Sequence, residues 1–155
     1  MTTPNADTLA AAAKAATKEK GLPPVHLWNP PFCGDIDMRI ARDGTWYYLG
    51  TPIGRAPLVK LFSSILKREG DAYFLVTPVE KVGIRVDDAP LLAVDFEAEG
   101  AGRDQKLTFL TKTEDRAIAG PDHPIRVERR ADGEPSPYVL IRSNLWALID
   151  RKSFY

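Results

Sequence analysis

Two arginines offer this chain its best prospect of chemistry. Arg55 opens the segment Arg55-Ala56-Pro57-Leu58-Val59-Lys60-Leu61, and Arg142 opens Arg142-Ser143-Asn144-Leu145-Trp146-Ala147-Leu148, so both read Arg-x-x-Leu-x-x-Leu. The spacing predicts a helix after each arginine. A helix start presents free backbone N–H groups and the positive end of the helix dipole. A guanidinium beside it adds a planar, permanently charged fork for phosphate or carboxylate. Lys60, one turn into the first helix, and Lys81 extend the positive set. Trp46 or Tyr47 would add a stacking face, worth about 1–3 kcal/mol per base. The predicted ligand-binding residues are therefore Arg55, Lys60, Arg142, Lys81 and Trp46, and the predicted ligand is small and anionic. The competing role for each arginine is structural: an ion pair with a carboxylate such as Glu80 or Asp150, tying strand to helix.

Other chemistries find little footing. The chain lacks a Gly-x-Ser-x-Gly elbow, a His-Glu-x-x-His pair, a Cys-x-x-Cys pair and a phosphate loop ending in Gly-Lys-Ser/Thr. Gly50-Thr51-Pro52-Ile53-Gly54 lacks the lysine and hydroxyl of such a loop, and Pro52 removes a backbone donor. With two histidines (His26 and His123) and one cysteine (Cys33), a four-ligand zinc site is not expected. The pairs Asp35/Asp37 and Asp87/Asp88 read as turn formers and surface charges. Cys33 has no basic neighbour in sequence to activate it. No cofactor is predicted, and an enzyme is the least favoured class.

The elements that must position these residues follow from periodicity. Residues 6–20 predict a helix whose apolar face is mostly alanine, either docking weakly or serving as a handle for a protein partner. The proline-punctuated stretch 22–34 follows, with Trp28 and Phe32 as its anchors. Ile36, Met38 and Ile40 alternate with polar residues, as in a half-buried strand. Asp43-Gly44 suits a hairpin turn, with 45–49 as the return strand. Leu58, Leu61, Phe62, Ile65 and Leu66 fall at helical spacing, and Gly70 is the expected stop. Strands are predicted at 73–77, 82–86, 92–96, 107–109, 113–118, 125–129 and 138–142, and a short helix from a Ser143 cap. The class is α+β, with antiparallel sheets and segregated helices.

At 155 residues the chain suits one domain or two small ones. Its 21 basic residues cancel 21 acidic ones, so no global field draws it to extended nucleic acid or to an anionic membrane. No run of residues reaches the roughly 18 apolar positions of a membrane span, and no signal peptide is evident; a cytoplasmic location is the expectation. One cysteine excludes an internal disulfide.

A second repeat accompanies the first. Ile36-Asp37-Met38-Arg39-Ile40-Ala41-Arg42-Asp43-Gly44 is echoed 89 positions later by Ile125-Arg126-Val127-Glu128-Arg129-Arg130-Ala131-Asp132-Gly133. Together the echoes suggest a strand, turn, strand, helix unit used twice, with residues 1–86 forming one half and 87–155 the other. If the halves pack face to face, the two arginine sites line one cleft.

Residues 34–40 (Gly-Asp-Ile-Asp-Met-Arg-Ile), 43–55 (Asp-Gly-Thr-Trp-Tyr-Tyr-Leu-Gly-Thr-Pro-Ile-Gly-Arg), 58–69, 73–81 and Val86-Asp87-Asp88-Ala89-Pro90 are similar to the pattern of a bacterial family catalogued as domain of unknown function 1285. The match is looser after residue 100. The resemblance implies two related halves from an internal duplication, the second loosely pleckstrin-homology-like: a curved antiparallel sheet closed by a helix. It also implies a ligand site between the halves for a nucleotide-like molecule, and a role in signal transduction. A protein-interaction module, using the barrel-like half or the N-terminal helix, is the alternative. The family carries no established reaction.

Overall fold

In the computed structural model, the described residues are 5–16, 23–100, 106–129 and 135–150. They form two compact units: one contains residues up to Ala41 and Thr45–Asp87, the other Arg42–Gly44 and the residues from Asp88 onward. The sequence reading had put the boundary one residue earlier. The end of the expected first helix and the start of the proline-punctuated stretch (17–22), the loop at 101–104 and the Asp132-Gly133 turn lie outside the described residues.

The N-terminal domain begins with helix α1 (Ala6–Ala16). Strands β1 (Phe32–Ile40), β2 (Trp46–Tyr48) and β3 (Thr51–Pro52) form a first meander. Helix α2 (Ala56–Ser64) follows, then a second meander of β4 (Leu66–Glu69), β5 (Ala72–Val76) and β6 (Lys81–Val86). The sheet order is β3-β2-β1-β6-β5-β4, with β1 and β6 parallel at its centre. Alternation sends Ile36, Met38, Ile40, Val82 and Leu75 to one buried face. Leu9 and Ala13 of α1 and Phe62 of α2 are also buried, so the alanine-rich helix packs its apolar side into the domain.

The C-terminal domain has the same plan. Strands β7 (Leu91–Glu99), β8 (Lys106–Thr111) and β9 (Arg116–Ile118) make one meander; β10 (Ile125–Arg129), β11 (Pro135–Arg142) and β12 (Leu145–Ile149) make the other. The order is β10-β11-β12-β7-β8-β9, with β7 and β12 parallel at the centre. Each sheet is thus mixed: two antiparallel meanders joined by one parallel pair.

Two expectations are corrected. The helix expected from Ser143 is strand β12. Its run Leu145-Trp146-Ala147-Leu148-Ile149 pairs with β11 on one side and β7 on the other, and a central strand covered on both faces needs no alternation. Ser143 itself takes a positive φ of 48° in the tight turn between β11 and β12. Among the described residues no helix closes this sheet. The helix at 58–66 also stops early: Ile65 is its C-cap, and Leu66 starts β4 opposite Leu75. Nor are the two sequence echoes equivalent in structure. Strand β1 opens its domain's first meander, whereas β10 opens its domain's second.

Candidate functional site

The predicted site residues fall in different settings within each domain. Arg55 caps α2 through its backbone, its carbonyl accepting from the N–H groups of Leu58 and Val59, while its side chain is exposed. Lys60 is exposed on the same helix. Trp46 is buried and stacks on Phe62 with ring centroids 6.4 Å apart and an interplanar angle of 21°. It is therefore core, unable to stack a ligand, because it shares the inner face with its cross-strand partner Ile40. Arg142 lies in the C-terminal domain at the end of β11, ahead of a strand rather than a helix. Its Nε donates to Asp115 Oδ1 at 3.2 Å, with only 14% and 11% of the two side chains exposed. Asp115 Oδ2 also accepts from the Thr111 and Thr113 hydroxyls. The structural role foreseen for this arginine is present, with Asp115 in place of Asp150.

Lys81 lies elsewhere, in an open pocket of about 650 Å³ on the N-terminal domain. Asp35 of β1, Phe74 of β5, and Lys81, Gly83 and Arg85 of β6 line it together with Phe32. Local backbone features build this site. Phe32 is three residues from Asp35, so a regular strand would point them to opposite faces. Yet Phe32 pairs with Lys81 and Asp35 with Gly83, so three steps along β1 match two along β6. The extra residue is a β-bulge at Gly34, whose φ of +102° suits glycine. It turns both side chains to one face. Gly83 completes the floor: a Cβ there would overlap the Asp35 carboxylate. Asp35 thus lies across a strand that must be bare at this position.

The floor is aromatic and the surround is charged. Phe32 and Phe74 meet edge to face at 5.9 Å, and Phe32 remains 54% exposed. Lys81 Nζ sits 4.7 Å from the Phe74 ring centre and donates to Glu69 Oε1 at 3.0 Å. That bond, aided by Lys67, holds the Glu69 carboxyl below its ordinary range against the opposing pull of burial. Arg85 pairs with Asp37 at 2.9 Å. Among the described residues Asp35 has no hydrogen-bond or ionic partner. The lining includes no Ser, Thr, Cys or His. Among the described residues there is no group of three or more His, Cys, Asp or Glu able to hold a metal. No described helix is long and apolar enough to cross a membrane.

Fold and site together define a two-domain, mixed-sheet protein with an aromatic and charged pocket on its first domain. Residues 23–89 match the family model described as "Domain of unknown function (DUF1285), N-terminal domain", and residues 90–155 match "Protein of unknown function (DUF1285), C-terminal domain". The chain belongs to the DUF1285 family. It is similar to the crystal structure of a DUF1285 family protein from Silicibacter pomeroyi DSS-3, at 67% identity and a TM-score of 0.88, over 95% of this chain and 80% of that one. It is also similar to a DUF1285 family protein from Shewanella baltica OS155, at 38% identity and a TM-score of 0.58, over 74% of this chain and 84% of that one. No curated protein matches it.

The sequence reading missed Phe32, Asp35, Gly83 and Arg85 as pocket residues. The available signal was a glycine, Gly34, inside a strand pattern, which marks a bulge.

Proposed function

We propose that this chain is a non-enzymatic binding module for a small, anionic, nucleotide-like ligand, held on the N-terminal domain in the Phe32–Asp35–Lys81 pocket. The carrying observation is an exposed phenyl ring beside a carboxylate that has no partner among the described residues, with two cationic side chains within the same open pocket. A planar base would cover Phe32. Asp35 would accept hydrogen bonds from amino or ring N–H donors, and Lys81 and Arg85 would draw the anionic end. The described lining holds no Ser, Thr, Cys or His, and its groups are those that bind a planar, charged ligand. Reversible capture without chemistry suits a signalling role in a bacterial cytoplasm. The shared strand order supports reading the two domains as copies of one ancestral unit, duplicated in tandem.

The test is a thermal-shift screen with nucleoside mono- and diphosphates. A ligand at 100 times its Kd stabilises by about 2.7 kcal/mol, a shift of several degrees for a domain of this size. The shift should vanish in Phe32→Ala and Lys81→Ala and persist in Arg55→Ala. No shift in the parent with any nucleotide, or an undiminished one in Phe32→Ala, refutes the reading.

A further inference from the structure

Among the described residues strand β10 is an edge of its sheet, hydrogen-bonded to β11 alone. The pairing is regular over all its residues, Ile125 opposite Val139 through Arg129 opposite Pro135, without a bulge. Leu140 N–H donates to Pro124 O at 3.0 Å. This fixes the phase of the ladder: Arg126 and Glu128 turn their backbone groups toward β11, and Ile125, Val127 and Arg129 turn theirs outward. The free edge therefore presents a regular row of donors and acceptors.

The side chains show what would suit that edge. Leu91, Ala147, Val139 and Ile125 lie opposite one another across β7, β12, β11 and β10. Val139 and Ala147 are fully buried and Leu91 nearly so, yet Ile125 is 43% exposed and Val127, two residues on, 54% exposed. Among the described residues the apolar face of the sheet runs out to its edge with Ile125 and Val127 exposed. On the other face Arg126 and Glu128 alternate in sign, their side chains 3.2 Å apart, and Arg126 lies over the Trp146 ring at 4.6 Å.

Edge strands that resist pairing often carry a bulge or an internal proline; β10 has neither across its registered residues. We propose that β10 pairs antiparallel with β10 of a second copy of this chain, about a two-fold axis at Val127. That register sets Val127 against itself and Ile125 against Arg129, the outward-facing positions, giving about six backbone hydrogen bonds. Arg126 then falls directly opposite Glu128 of the second copy, and Glu128 opposite its Arg126. These are the non-hydrogen-bonded positions, where side chains stand closest and opposite charges attract. A shift of one residue would turn the apolar face of one copy to the charged face of the other. The Arg126 and Glu128 charges thus select this register over its neighbours.

The experiment is sedimentation velocity on the full chain at rising concentration, to about 1 mM, the range in which an association of roughly 4 kcal/mol half-saturates. The parent should move from monomer to dimer. Val127→Pro removes an outward N–H while sparing the β10–β11 ladder, and should remain monomeric with an unchanged circular dichroism spectrum. Arg126→Glu and Glu128→Arg should each lose self-association, because each sets like charges opposite one another. Mixed in equal amounts, the two should form a heterodimer of the parent's apparent mass. Glu128→Arg leaves the Arg126–Trp146 contact in place, so its loss of dimer cannot be charged to unfolding. A parent that stays monomeric throughout overturns the proposal, and so does a dimer that Val127→Pro or the charge variants leave intact. Capture of a foreign strand without self-association counts among the former outcomes.

Discussion

Tyr138→Phe removes one oxygen from a well-defined cluster in the C-terminal domain. The Tyr138 hydroxyl donates to Asp88 Oδ1 at 2.6 Å. Asp88 Oδ2 is buried and faces Arg42 Nη1 at 3.1 Å, an ionic contact without good hydrogen-bond alignment. Arg42 in turn donates to Ser136 Oγ at 3.1 Å. Burial, then the bond to Asp88 and its charge, push the Tyr138 phenol up to about 12 from 10.0. A bond to a charged acceptor contributes about 1.5–3 kcal/mol, and a pKa difference of this size corresponds to at most roughly 3 kcal/mol. Because Arg42 continues to offset the Asp88 charge in the variant, we expect a loss of about 2 kcal/mol at pH 7. The sign with pH is fixed. A phenol raised in the folded state contributes its full stability below the unfolded value of 10 and loses it as pH climbs toward 12. The gap between parent and variant should therefore hold from pH 7 to 9 and narrow above 10. Urea melts followed by circular dichroism give the gap. Tyrosine-ring NMR, with the variant assigning the signal, gives the titration. A variant within about 0.5 kcal/mol of the parent at pH 7, or a gap that stays constant to pH 12, would refute the reasoning.

Arg142→Ala should cost about 2–4 kcal/mol by calorimetry, since it strips the cationic partner from a nearly buried carboxylate at Asp115; nucleotide-induced shifts should be unaffected. Glu69→Gln should flatten the acid limb of stability: a depressed carboxyl stabilises above its unfolded value of 4.5 and loses that contribution as pH falls through the lower folded value. The same variant releases Lys81 from its ion pair and should tighten anion binding in the pocket, read as a larger thermal shift.

Much of the fold was legible because it is local. Ile36, Met38 and Ile40 alternate, Asp43-Gly44 closes a hairpin with Gly44 at φ +84°, and the 3–4 spacing of Leu58, Leu61 and Phe62 gives a helix where one stands. The failures share a cause. A short apolar run such as Leu145–Ile149 fits a helix face or a doubly covered strand equally well, and only its two neighbours, β11 and β7, decide between them. The parallel pairs β1–β6 and β7–β12 join segments with no sequence sign of one another. The pocket is less legible still. Asp35 and Gly83 meet across that parallel pair, and the arginines that drew attention owed their pattern to an echo between a helix, α2, and a strand, β12.

In each domain the first and last strands lie side by side and run the same way. The chain therefore enters at one end of the central pair and leaves at the other, like thread through a bead. No return passage is needed to reach the next unit: β6 ends at Val86 and β7 begins at Leu91. Such a unit can be copied in series with a linker of a few residues, and it is finished only when its last strand has been made. On the ribosome, the first domain would wait for Val86 before its sheet could join across the middle.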